Sequence, residues 1–253
     1  MAAAALLLVA TQARPAPPRV LVVTYSAGYQ HDVVRRPAPA EPSTAERVLA
    51  DLGRRSGRFD VTLVATRDEL ERLTAASVRT HRAIVFFTTG ELPLASAVRQ
   101  AMFQSVRDGG GFVGVHSATD TWYTVPEYRE LLGGTFDGHP WHQRVRLVVE
   151  DRTHPATRHL GDTFEITDEI YQIDDFRDDN EILLRLDPMS VDRTKPGAHL
   201  RYYNWPMAWT RKYGKGRTFY TALGHEDAVW RDQRFQQLLY NGIEWAMGEV
   251  KEK

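Results

Sequence analysis

Nine histidines and no cysteine define the chemistry open to this chain. Without a thiol there is no disulfide, no thiolate metal site, no iron–sulfur cluster and no Cys nucleophile. Unusual reactivity must therefore come from imidazoles and carboxylates. His31 follows a β-branched run, Val20 to Tyr25. His116 closes the run Phe112 to Val115, and His225 follows Thr218 to Leu223. His139 and His142 sit in Gly133-Gly134-Thr135-Phe136-Asp137-Gly138-His139-Pro140-Trp141-His142, a spacing that can seat two metal ligands. Each of these is equally readable as a hydrogen-bonded structural imidazole. His81 precedes a strand-like run and is expected at the opposite edge, on the surface. His154, His159 and His199 lie among charged or Pro/Gly-rich residues and are expected to be solvated.

His116 is the most pointed of them. In Gly114-Val115-His116-Ser117-Ala118 a strand ends in a small-residue turn, where a nucleophile elbow would present its reactive side chain. Acyl transfer needs Ser or Cys at the centre; His suits acid–base work or metal ligation. Ser117 is one residue late, which disfavours a serine hydrolase. The alternative is a histidine that merely caps its strand.

Carboxylates are at hand. Asp120 follows His116 closely, and Glu226 directly follows His225. Asp168 and Glu169 lie within a strand-like segment and must face opposite ways, so one points to the pocket side and the other is structural. A carboxylate beside an imidazole can orient it, act as base or complete a metal shell. Rings are dense nearby: Tyr29, Trp122, Tyr123, Trp141 and the run Tyr202-Tyr203-Asn204-Trp205-Pro206-Met207-Ala208-Trp209. Rings beside polar groups suit a sugar, whose CH faces stack while its hydroxyls seek partners. Ordinary core packing is the competing reading for most of these rings.

The elements that must position these residues follow from periodicity. Strands are expected at Val20 to Tyr25, Phe59 to Ala65, Ala83 to Thr88 and Phe112 to Val115. Helices are expected from Ser43 to about Arg55, from Asp68 to Thr74 and from Leu94 to Arg107. Ser43 and Glu46 have capping-box spacing. Strand–helix alternation argues a doubly wound parallel sheet, with helices on both faces. Ligands then bind beyond the carboxyl ends of the strands, which brings His31, His116 and His225 to one edge. The second half is richer in strands: Arg144 to Glu150, Phe164 to Ile173, Ile182 to Leu186, Pro206 to Tyr213 and Thr218 to Leu223, before a helix from Gln233 to Met247. One α/β domain over residues 19–250, with a β-rich extension, is the expectation.

Bulk properties bound the partners. The chain has 253 residues, 42% of them hydrophobic, enough for a full core. Its 32 basic and 33 acidic residues leave a net charge of −1, which gives no reason to expect nucleic acid or an anionic membrane surface. The apolar run Ala2 to Ala10 is too short to span a bilayer. Residues 1–18 read as a secretory leader ending at Ala10 or Ala13, or as an Ala-rich disordered tail. A leader implies the periplasm or the exterior; otherwise the protein is cytoplasmic.

The motifs in their order resemble the ThuA-like family, named for trehalose utilisation, over about Arg19 to Met247. The resemblance rests on Val22-Val23-Thr24-Tyr25-Ser26-Ala27-Gly28-Tyr29-Gln30-His31, on Gly110 to Asp120, on Leu132 to Pro140, on Asp168-Glu169-Ile170-Tyr171, and on Pro206-Met207-Ala208-Trp209 through Gly214-Lys215-Gly216-Arg217-Thr218-Phe219-Tyr220 to Leu223-Gly224-His225. Gln30 stands where the family often has Arg. The resemblance implies a flavodoxin-like, class I glutamine amidotransferase-like three-layer sandwich with a mostly parallel sheet. His116 falls about where that superfamily carries its catalytic Cys. It also implies sugar metabolism, notably isomerisation or cleavage of 3-keto-glycosides, and in some members a divalent metal.

On this basis the expected activity is proton abstraction beside a carbonyl in an oxidised glycoside. His116 or Glu169 is expected as the base, with Asp120 as a further catalytic group. His31, Tyr29, Trp141, Trp205 and Glu226 are the expected substrate contacts. His31, His116, His139 and His225 are the expected ligands of a zinc-like ion, with no nucleotide cofactor. A non-catalytic carbohydrate-binding module and a metal-dependent hydrolase are the alternatives.

Overall fold

The computed structural model of the chain describes residues 15–202 and 205–250. Most of the expected leader, and Tyr203, therefore lie outside the described residues. The fold begins with three strand–helix repeats and a fourth strand. These are β1 (Arg19–Val23), α1 (Thr44–Ser56), β2 (Asp60–Val64), α2 (Arg67–Glu71), α3 (Ala75–Val78), β3 (Ala83–Phe86), α4 (Ser96–Arg107) and β4 (Gly111–Val115). α5 (Pro126–Leu132) and β5 (Thr135–Phe136) lead into β6 (Trp141–Val149), β7 (Thr163–Ile170), β8 (Ile173–Asp174) and β9 (Glu181–Leu186). The chain then forms β10 (Pro206–Tyr213), β11 (Gly216–Thr221), α6 (Asp227–Arg231) and α7 (Gln233–Ala246).

Nine strands form one sheet in the order β2-β1-β3-β4-β11-β10-β9-β6-β7. The strands from β2 to β11 in that order pair in parallel, and β10, β9, β6 and β7 extend the sheet with antiparallel pairs. The order 2-1-3-4 with β11 in fifth place is the flavodoxin-like arrangement. β3 and β4 are buried along their whole length, because helices cover both faces of a parallel sheet. α1, α6 and α7 pack on one side, and α3, α4 and α5 on the other.

Local chemistry fixes the ends. The Ser43 hydroxyl accepts from the Glu46 amide while the Glu46 carboxylate accepts from the Ser43 amide, so α1 begins in a complete capping box. The Glu46 carboxylate is fully buried and is also paired with Arg36 at 2.8 Å. α5 opens with Pro126 in its first turn and closes on Gly133 at φ 87°. α3, α5 and α6 were not expected from the sequence; each is seven residues or shorter, too brief for a 3.6-residue period to show. The strand expected to run from Phe164 to Ile173 breaks after Ile170. There Gln172 turns aside, and its backbone pairs with Asp137 and Gly138 instead.

Two of the peripheral histidines are not where polarity alone put them. His81 lies at the opposite edge as expected, but it is buried, with its ring nitrogens on the Ser77 carbonyl and the Thr62 hydroxyl. His154 is buried against Trp245, with ring centroids 5.0 Å apart. A charged sequence neighbourhood says little about one side chain when the next turn covers it. His159 and His199 are exposed, as expected. Among the described residues, no helix is long and apolar enough to cross a membrane.

Candidate active site

Three histidines converge beyond the carboxyl ends of the parallel strands. His31 comes from the loop after β1, His116 from the residue after β4, and His225 from the loop after β11. Their rings meet edge to face, with centroids 4.8 Å apart for His31 and His116, 5.1 Å for His31 and His225, and 5.4 Å for His116 and His225. The fourth member of the group is Glu169. Its Oε2 lies 3.1 Å from His225 Nδ1 and 3.6 Å from His116 Nε2, and its Oε1 lies 3.1 Å from His139 Nδ1.

Each of these positions has a local cause. His116 adopts φ 46°, a left-handed conformation that a β-carbon disfavours. The strain is held from β11: the Tyr220 hydroxyl donates to the His116 carbonyl at 2.7 Å, and His116 Nδ1 donates to the Ala222 carbonyl at 2.7 Å. Gly114 makes room, because a β-carbon there would lie 2.8 Å from both Leu132 and Tyr220. Asp168 and Glu169 face opposite ways, as a strand requires. Glu169 enters the site. Asp168 is fully buried, and its carboxylate accepts from the amides of Gly224 at 2.7 Å and Glu226 at 3.0 Å, which pins the loop that carries His225.

The electrostatics follow from this crowding. Burial, reinforced by His116 and His225, lowers the His31 pKa to about 3, so this imidazole is neutral. Burial acts to raise the Glu169 carboxyl, but His116 and His225 outweigh it and hold it well below the usual carboxylate range. The contact with Glu169 raises His225 against its own burial. Burial pushes Asp120 up, against the hydrogen bond it accepts from the Tyr123 hydroxyl at 2.7 Å.

One detail bears on a metal. His116 Nδ1 is committed to a carbonyl, so Nε2 presents a lone pair, and it faces a carboxylate oxygen. His116 Nε2, His31 Nδ1 and His225 Nδ1 are buried without a hydrogen-bond partner. Imidazole nitrogens facing a carboxylate need a proton or a metal cation between them, and His225 can meet Glu169 in either way. One donor atom from each of His31, His116, Glu169 and His225 falls within 4.8 Å of the others. Three imidazoles and a carboxylate are the donor set of a zinc-like divalent ion, and the Nδ1–carbonyl bond of His116 is the outer support such ligands use. The residues therefore fit the ion. The set differs from the expected four histidines: Glu169 takes the fourth place, and His139 stands outside it against the far oxygen of that carboxylate.

A cavity of about 360 Å³ opens above the group, lined by Tyr29, His31, Asp120, Phe136, His139, Glu169, Tyr171 and His225. His116 lies beneath it, fully buried. Trp141 and Trp205 are corrected from substrate contacts to core. Both are fully buried and pack edge to face at 5.4 Å, and the Trp141 indole donates to the Asp192 carbonyl. The sugar-stacking expectation failed there because β6 and the residue before β10 turn these rings into the core. Tyr29 is 66% exposed at the rim. Glu226 lies one step outward, accepting from His142 Nε2 at 2.6 Å. Phe136 and Tyr171 were missed as walls. Tyr171 sits two residues beyond Glu169, so strand alternation could have found it.

With this geometry in view, the comparison with known proteins is decisive for kinship. The model of the ThuA family, described as trehalose utilisation, matches residues 19–246. The chain belongs to the ThuA family. A ThuA-like protein from Bacteroides uniformis ATCC 8492 is similar at 23% identity, with 94% of each chain covered and a TM-score of 0.72. A ThuA-like protein from Parabacteroides merdae ATCC 43184 is similar at 22% identity, with 94% and 92% covered and a TM-score of 0.70. A cytoplasmic protein from Salmonella typhimurium LT2, 13% identical, shares 90% of this chain and 99% of its own at a TM-score of 0.63. These likenesses establish the ThuA fold in this chain. No curated protein matches it.

Proposed function

We propose that this ThuA-family protein is an enzyme that abstracts a proton beside the carbonyl of an oxidised, 3-keto glycoside, leading to isomerisation or elimination. The observation that carries the reading is the convergence of His31, His116, His225 and Glu169, with His31 Nδ1 and His116 Nε2 left without a hydrogen-bond partner, on the floor of a cavity of about 360 Å³. A divalent ion held by these four would supply Lewis acidity toward a sugar carbonyl. The remaining cavity groups are the protein's own acid–base apparatus. Asp120 is the base: it faces the cavity, and burial raises its proton affinity above that of a solvated carboxylate. His116, expected as a base, has its free nitrogen turned into the donor group beneath the cavity and serves there as a ligand. Glu169 is held too acidic to take a proton readily. His139, half-exposed and 3.1 Å from Glu169, can donate a hydrogen bond to the oxygen that gains charge as the proton leaves. Phe136 and Tyr171 wall the cavity and exclude water from one side.

The burial of Trp141 and Trp205 removes two of the rings that a carbohydrate-binding module would have used. The test of the enzymatic reading is exchange at C2 of a 3-keto-glucoside in deuterated buffer with Zn²⁺ supplied. Exchange that requires Asp120 is the expected result. No exchange by the wild-type protein overturns the mechanism, and incorporation of labelled water oxygen without C2 exchange favours hydrolysis instead.

A further inference from the structure

His225 belongs to two groups of donors. Besides the inner group, it stands with His142 and Glu226, and one donor atom from each of these three lies within 4.8 Å of the others. The His142 and His225 rings are 5.0 Å apart at 70°, and His142 Nε2 is 2.6 Å from Glu226 Oε1. We infer that His142, His225 and Glu226 form a second, outer site for a divalent cation, next to the inner group and sharing His225 with it; when both sites are filled His225 bridges as an imidazolate, its ring proton released to solvent.

The placement is built by the fold. His142 is the second residue of β6 and pairs across the ladder with Glu169, so the two side chains stand on the same face of the sheet. Glu226 is placed by its own amide, which Asp168 binds together with that of Gly224. One buried carboxylate thus sets both His225 and Glu226 relative to β7. The outer group borders a cavity of about 280 Å³ lined by Tyr29, Asp32, Val33, His225, Glu226 and Asp227. Of the three carboxylates around that opening, Asp32 is paired with Arg35 and Asp227 with Arg231, so Glu226 is the one aimed at the two imidazoles. Two imidazoles and one carboxylate suit a zinc-like ion and leave coordination positions open toward the cavity. The His142 and Glu226 side chains are 46% and 37% exposed, so this site exchanges its ion more readily than the buried inner one.

The inference goes beyond the proposed function and can fail separately from it. The probe is Co²⁺ alone, added to metal-free protein and followed by visible absorption and by metal analysis after gel filtration. Wild-type protein is expected to bind two equivalents, the second at least tenfold more weakly. His142→Ala and Glu226→Gln, both at solvent-accessible positions, lose the weaker equivalent and keep the tighter one. His116→Ala loses the tighter and keeps the weaker, and circular dichroism checks that each variant is folded. A single equivalent in wild type that survives His142→Ala and Glu226→Gln overturns the outer site and leaves the inner one standing. A single equivalent abolished by His142→Ala but indifferent to His116→Ala keeps the outer site and overturns the inner.

Discussion

The two halves of the sheet contribute to the site in different ways. The parallel half supplies His31, His116 and His225, one from the carboxyl end of each of β1, β4 and β11. The antiparallel half supplies Glu169 from β7 and His142 from β6, placed by ladder register rather than by strand ends. β1, β4 and β11 are buried along almost their whole length and flanked by neighbours on both sides, so their ends are rigid platforms. β6 and β7 at the antiparallel edge are exposed at alternate residues over much of their length, and their side chains reach the site only where alternation points them inward. The comparison teaches that the imidazole group is a property of topology, whereas the carboxylate that completes it is a property of register. A one-residue slip of β7 would put either the shorter Asp168 or the apolar Ile170 where Glu169 stands, and the second would leave the three histidines facing no charge.

The largest effect should come from removing the carboxylate that the antiparallel half supplies. Glu169→Gln keeps the volume and deletes the charge that would hold the ion, and C2 exchange is expected to fall by at least about 10²-fold as Lewis acidity worth several kcal/mol is lost. An equal loss from His142→Ala, assayed the same way, would show that register-placed residues matter alike and would break the distinction. The second effect tests the parallel half. Gly114→Val forces a β-carbon, and more, against Leu132 and Tyr220, and overpacking of this kind costs about 1–3 kcal/mol in stability. Denaturant unfolding measures it, and activity should fall further than stability alone explains, because Tyr220 holds the strained His116.

A subtler break is Asp168→Asn, which puts an amide donor where Gly224 or Glu226 also donates. A buried mismatch of this kind costs about 1–3 kcal/mol, again read by denaturant unfolding. Metal affinity should weaken as well, because the loop carrying His225 loosens. Ser43→Ala removes the cap of α1 in the parallel half, at a residue outside the lining of the cavity. It should cost about 1 kcal/mol and leave C2 exchange unchanged. The smallest effect is on pH dependence. Burial tends to raise the Glu69 carboxyl, but the amides of Ala65 and Thr66 and the Arg36 guanidinium outweigh it, so its folded pKa lies below the ordinary 4.5. Its stabilising contribution is therefore present above pH 4.5 and is lost as pH falls through the folded value. Glu69→Gln should flatten the acid limb of a stability–pH curve by a fraction of a kcal/mol for so partly exposed a pair.

The same contrast explains what could be read from the sequence. The β-branched runs at β1, β3 and β4 and the Ser43–Glu46 spacing were legible because period and composition act locally. The edge shared by His31, His116 and His225 followed from the strand-end rule alone. That Asp168 and Glu169 part company was legible too, though not which of them turns inward; that choice depends on the register with β6. Trp141 and Trp205 were misread because a ring beside a histidine looks the same in sequence whether it faces a ligand or the core. His139 and His142 were both readable as a metal pair and only His139 entered the expected ligand set, yet it is His142 that stands opposite Glu169 on the ladder. A two-residue gap carries no information about which strand the second residue will join.

The most direct test of the central claim is anomalous diffraction at the zinc edge from crystals grown with Zn²⁺. The account predicts a peak bonded to His31, His116, His225 and Glu169 beneath the cavity. Strong zinc peaks elsewhere, with those four side chains unliganded, would contradict it.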